Sequence, residues 1–141
     1  KIDKKTIDMD IYSETDANNF AVLDTLVTDK TQTLATIDLV SENMVDWNEF
    51  LGMLYWWLKH MLQTVDLFDQ WEKDSKQIAS KIGIHFFPIM KNLKYIDQIR
   101  AKKQRLIWMY DQLIELDMGI KSGNFPAEGF YAEVKRIVVQ L

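Results

Sequence analysis

The 141-residue chain has no cysteine, two prolines, five glycines and two histidines. Without cysteine, a disulfide framework and a thiolate metal site are excluded, and a reducing cytoplasm is the natural compartment. The few glycines form neither GxxxxGK[ST] nor GxGxxG, which sets ATP hydrolysis by this chain aside. His60 and His85 have no second histidine or carboxylate at metal-ligand spacing in their helices. Each reads as a core-edge or capping residue. No serine or threonine sits in a nucleophile elbow. No catalytic, cofactor-binding or metal-binding residue is expected. The opening stretch Lys1 to Asp16 is polar and acidic, unlike a signal peptide.

What is present is apolar bulk. Hydrophobic residues make up 48% of the chain, enough for a real core and too many for disorder. A net charge of −4 does not mark a nucleic-acid binder. The charge is uneven, however. Residues 1–50 carry 4 basic and 11 acidic residues, whereas Lys91 to Arg105 carries 6 basic residues against Asp97 alone. The plain reading of that basic stretch is a solvated helix face.

Hydrophobic spacing predicts helices throughout and no strand. The first runs from Asn19 to Thr28, capped by Asp16 or Asn18, with Phe20, Leu23 and Val27 on one face. A second runs from Lys30 to Asn43 behind Asp29. Asp46 then opens a long helix reaching Phe68 or Gln70. Its apolar residues wrap most of the way round, so it is a helix packed on several sides, including against a partner chain. Lys59, His60, Gln63 and Asp66 interrupt it and would be costly in lipid, so no membrane is expected. Asp74 to Ile82 is a short helix stopped by Gly83. Pro88 fits the first turn of a helix near Ile89 to Ile99. Ala101 to Ser122 is a long helix stopped by Gly123, and Phe130, Val134, Ile137 and Val138 stripe the last one. The fold class is all-α, a bundle of about six to seven helices.

Three features invite a functional reading beside the plain one. Trp56 and Trp57 are adjacent and point about 100° apart on a helix, so both can hardly face one small core. One of them is a candidate interface residue. Ile78, Ala79, Gly83, Ile84 and Ile89 have helix-turn-helix spacing. The start of the second helix offers His85, Phe86, Phe87 and Pro88 where base edges need polar side chains, which suggests a buried helix pair. In the basic stretch, Lys102, Lys103 and Arg105 can share an exposed face and touch DNA or a partner, weakly and without sequence preference. Their replacement by glutamate is expected to leave folding intact. Asp117 and Lys121, at i and i+4 before Gly123, form a structural motif at a helix end.

Three segments resemble one known family. Asn18-Asn19-Phe20-Ala21-Val22-Leu23-Asp24-Thr25-Leu26 looks like its N-x-F-x-L-x-D-A-L opening. Gln77-Ile78-Ala79-Ser80-Lys81-Ile82-Gly83-Ile84-His85 resembles its I-A-x-x-L-G-I-H-P-[FY] segment. Leu116-Asp117-Met118-Gly119-Ile120-Lys121-Ser122-Gly123 resembles its D-x-x-I-K-[ST]-G segment. In this order and at these separations they resemble the C-terminal region of the delta subunit of the bacterial DNA polymerase III clamp loader. The chain departs from the pattern where Phe86 and Phe87 precede Pro88. It departs again at Pro126-Ala127-Glu128-Gly129-Phe130-Tyr131-Ala132-Glu133, in place of D-P-E-x-A-L-E.

The resemblance implies a collar domain over residues 18–141, with residues 1–17 the tail of a preceding small (lid) domain or a linker. In that family an N-terminal AAA+-like domain opens the sliding clamp. The C-terminal helical domains pack into a circular collar that holds the pentamer together. This chain would be non-catalytic, its partners the other loader subunits within a polymerase holoenzyme, its place the cytoplasm. The residues alone leave two functions open, that assembly module and a helix-turn-helix DNA-binding regulatory domain.

Overall fold

Short polar side chains set where the helices begin. Helix α1 spans Lys30–Glu42, and its N-cap Asp29 accepts a hydrogen bond from the Gln32 amide. Helix α2 spans Trp47–Asp69 behind Asp46, which accepts from the Glu49 amide. Asp74 caps α3, Ser75–Ile82, and the His85 ring accepts from the Phe87 amide to cap α4, Phe86–Lys94. Then come α5, Ile96–Ala101, α6, Lys103–Lys121, a 3-10 turn at Ala127–Gly129, and α7, Phe130–Val139. The computed structural model describes residues 25–70 and 73–141, and among these there are seven α-helices and no strand. The expected helix from Asn19, its caps and the proposed tail lie outside the described residues, apart from the turn that follows Thr25.

Between residues 86 and 121 the structure differs from the expectation. The helix anticipated near Ile89 to Ile99 starts at Phe86, with Pro88 in its first turn, and ends at Lys94. Tyr95 (φ −114°, ψ 25°) separates it from α5, and Lys102 (φ −102°, ψ 10°) separates α5 from α6. The break at Lys102 falls within two residues of the boundary expected between Ile99 and Ala101, whereas the break at Tyr95 has no glycine or proline to mark it. The reason is tertiary. Ile89 is buried in a small cluster with Ile78 and Ala79, whereas Ile96, Ile99 and Leu106 belong to the main core. The bends carry the chain from one cluster to the other.

The main core forms around α2. Phe50, Leu51, Leu54, Leu58, Met61 and Val65 are buried along it. The helix packs against α3, α4, α5 and α6. Each such side chain stabilises the fold by roughly 1.5–3 kcal/mol. Helix α7 packs on α1 and α6, burying Phe130, Val134, Ile137 and Val138. At the start of α2, Trp47 and Phe50 meet Phe130 at ring separations of 5.5 and 6.4 Å. Tyr131 donates to the Val45 carbonyl at 2.7 Å, tying α7 to the α1–α2 turn. Burial, with Asp46 and Glu49 nearby, pushes its phenol up to about 12.

Helix ends use left-handed residues. Gly123 (φ 81°) follows α6, and its amide and that of Asn124 bond to the carbonyls of Ile120 and Gly119, the two bonds of a Schellman motif. Gly83 (φ 87°) stops α3. After α1 the same conformation falls to Met44 (φ 56°), at a cost of roughly 1–2 kcal/mol. Lys121 pairs with Asp117 at 3.0 Å one turn before Gly123. Gly123→Val should lower the thermal midpoint far more than Lys121→Ala, because a β-branched residue resists positive φ while the ion pair is worth a few tenths of a kcal/mol. Equal shifts for the two variants would contradict this.

Candidate functional site

Adjacent residues on one helix cannot share an environment, and the tryptophan pair divides accordingly. Trp57 is buried, at 6% exposure, whereas Trp56 is 39% exposed. The Trp56 ring packs on His60 at a centroid distance of 4.2 Å, the planes tilted by 45°, and meets Trp57 edge-on at 5.2 Å. His60 is held by its Nδ1, 2.5 Å from the Trp56 carbonyl oxygen. The exposed indole is therefore braced from beneath by two buried rings. That arrangement suits an anchor whose rotamer is set before contact.

Trp56 lines an open groove of about 580 Å³ between α2 and α4, with Gly52, Met53, Trp57, Phe87, Pro88 and Lys91. Phe87 is 60% exposed, and Met90 one turn along is also exposed. Here the expectation of a buried helix pair is met only in part. Ile78, Ala79 and Ile89 are buried and Phe86 packs beside them, but Phe87 stands out into solvent. Asn92 reaches across to the buried Thr64 hydroxyl at 3.3 Å, fixing α4 on α2 and so the width of the groove.

Gly52 adds a separate observation. It lies inside α2, where glycine costs roughly 0.5–1 kcal/mol relative to alanine. A Cβ there would meet nothing within 4 Å. No neighbour in the described chain requires the glycine, so the space it leaves suits close approach by something outside.

The basic stretch is engaged within the chain. Lys103 pairs with Asp66 of α2 at 2.6 Å. Lys102 and Arg105 donate to the carbonyls of Leu141 and Gln140, at 3.4 and 2.6 Å. Lys30 donates to the Val139 carbonyl at 2.9 Å. Three cations thus gather at the C-terminal end of α7, where the helix dipole favours positive charge. Arg100 grips Asp69 through Nε and Nη2 and holds its carboxyl below the usual carboxylate range.

Asp117 carries more than its ion pair. Tyr55 of α2 donates to the Leu113 carbonyl at 3.1 Å and to Asp117 Oδ2 at 3.4 Å. Burial first, then the Asp117 charge, pushes the Tyr55 phenol well above its ordinary value. The motif before Gly123 is thereby fastened to the central helix. Lys121 approaches Asp117 Oδ1 as an ion pair, yet that oxygen takes no well-directed hydrogen bond. Among the described residues no helix is long and apolar enough to cross a membrane, and no group of three acidic, histidine or cysteine side chains could hold a metal.

Met90 and Gly52 were not singled out from the sequence, and Phe87 was read there as part of a buried helix pair. The pair Phe86-Phe87 carried the same signal as Trp56-Trp57, since one of two adjacent aromatics on a helix must turn away from the core.

The sequence model of one family, described as DNA polymerase III delta subunit, C-terminal domain, matches residues 16–130. No curated protein and no solved structure matches the chain significantly.

The placement of the cations changes what their substitution should do. Exchanging Lys102, Lys103 and Arg105 for glutamate puts anions at the negative end of α7 and breaks the Asp66 pair. The triple variant should lose about 2 kcal/mol and several degrees in thermal midpoint. An unchanged midpoint would show these contacts to be idle.

Proposed function

The chain belongs to the family formed by the C-terminal domains of DNA polymerase III delta subunits, and from that premise we propose that it is a collar domain, a non-catalytic assembly module holding a clamp-loader ring together. Residues 18–141 would form the collar domain and residues 1–17 the tail of a preceding small domain or a linker. Its partners are the other loader subunits, its process is DNA replication, and its compartment is the cytoplasm.

The observation that carries the reading is the braced, exposed Trp56 beside Gly52 and Phe87. A large apolar surface left open on an all-helical module marks a protein contact. Base reading by the α3–α4 pair is disfavoured on chemical grounds. Helix α4 turns Phe87 and Met90 to solvent, and neither can hydrogen-bond a base edge. A weak, sequence-independent DNA contribution from Lys102, Lys103 and Arg105 is the lesser part of the proposal. All three are already bonded within the chain, so a phosphate contact would compete with those bonds.

In a loader reconstituted from full-length subunits, Trp56→Ala should weaken incorporation of this subunit by about tenfold or more, the size of a central aromatic hot spot. Gly52→Leu should do the same while leaving thermal stability unchanged or raised, since leucine is the better helix former. Normal incorporation of both variants would defeat the reading.

A further inference from the structure

Helix α6 shows the bundle only one of its sides. Leu106, Met109, Leu113 and Leu116 are buried, while Ile107, Ile114 and Met118 are exposed, Met118 to 65%. At 100° per residue the last three fall within about 40° of one another, on a stripe roughly opposite the core. Asp111 lies on the same stripe and Glu115 beside it, both exposed. A solvated face would not repeat isoleucine, isoleucine and methionine at the i, i+7 and i+11 spacing of a helix contact.

The stripe borders a second groove, of about 230 Å³, between α2 and α6. Lys59, Leu62, Gln63 and Asp66 form one wall and Ile107, Tyr110 and Asp111 the other. Gln63 Oε1 is a buried acceptor with no hydrogen-bond partner among the described residues. Such an atom costs roughly 1–3 kcal/mol unless a donor reaches it. The groove therefore offers apolar walls in Leu62, Ile107 and Tyr110 and the carboxylates of Asp66 and Asp111, with Lys59 at its α2 side, and the stripe of Ile107, Ile114 and Met118 runs on from it along α6.

We propose that the α2–α6 face, with Ile107, Ile114 and Met118 as its rail and Asp111 and Glu115 at its edge, docks an amphipathic helix of a neighbouring loader subunit whose apolar stripe is flanked by lysine or arginine. This rests on the collar reading and adds which face meets that neighbour and with what chemistry. Charge decides against a second copy of this chain. A two-fold axis near Ile114 would set each Asp111–Glu115 pair against its own duplicate, and like charges facing each other are destabilising. A basic helix meets the same carboxylates favourably.

The test uses the loader assembled from full-length subunits, with a photocrosslinking residue in place of Met118. The expected result is a crosslink to one neighbouring subunit, mapped to a helix bearing lysine or arginine. The pair Asp111→Lys and Glu115→Lys should weaken that contact by at least about tenfold at low salt, with the loss shrinking as salt rises. Unchanged melting of the double variant shows it folded. A wild-type subunit that fails to enter the loader overturns the collar reading, and this partner with it. A wild type that assembles while the crosslink is absent, or maps to a second copy, or while the double variant binds as well, overturns this inference alone.

Discussion

Helix α2 has more apolar circumference than the rest of the described chain covers, and that imbalance organises the structure. A 23-residue helix with buried side chains from Phe50 to Val65 needs neighbours on most sides. Helices α3, α4, α5 and α6 supply them, and α7 reaches its first turn through Phe130. The bends at Tyr95 and Lys102 follow from the same need, since they let one stretch of chain serve two clusters. What is left over is Trp56, held upright by His60 and Trp57 at the edge of the covered surface.

Electrostatics refine this arrangement and do not create it. The exposed pairs Lys135–Asp38 and Lys103–Asp66 are each worth well under the roughly 1.5–3 kcal/mol of one buried leucine. Their positions are informative all the same. Each joins helices distant in sequence, and Lys30, Lys102 and Arg105 converge on the last carbonyls of α7. Within the basic stretch that stands out in the sequence, Lys102 and Arg105 fasten the C-terminal helix, while Arg100 and Lys103 pair with Asp69 and Asp66 of α2. The acidic side chains Asp111 and Glu115 remain at the surface of α6, where no comparable fastening among the described residues employs them.

The all-helical class, the caps Asp29, Asp46 and Asp74, and the stops Gly83 and Gly123 were legible because each rests on a local rule. So was the division of Trp56 from Trp57, which needs only the helical angle. The break at Lys102 lies within two residues of the boundary expected between Ile99 and Ala101. The break at Tyr95 was not legible, because tertiary packing made it without a glycine or proline. Nor was the left-handed Met44, where a residue with no preference for positive φ ends α1. Roles for Lys102, Lys103 and Arg105 within the chain could not be read either, since their partners lie 35 or more residues away. The exposure of Phe87 was within reach by the argument applied to the tryptophans.

The central claim is that α2 is completed by another chain across the Gly52–Trp56 face. Amide hydrogen exchange, compared between the free full-length subunit and the assembled loader, tests it most directly, since exchange reports local opening segment by segment. Completion by a partner predicts slower exchange on assembly in residues 48–58 and 84–92, with the buried end of α7 unchanged. Identical exchange in the two states across those segments would contradict it.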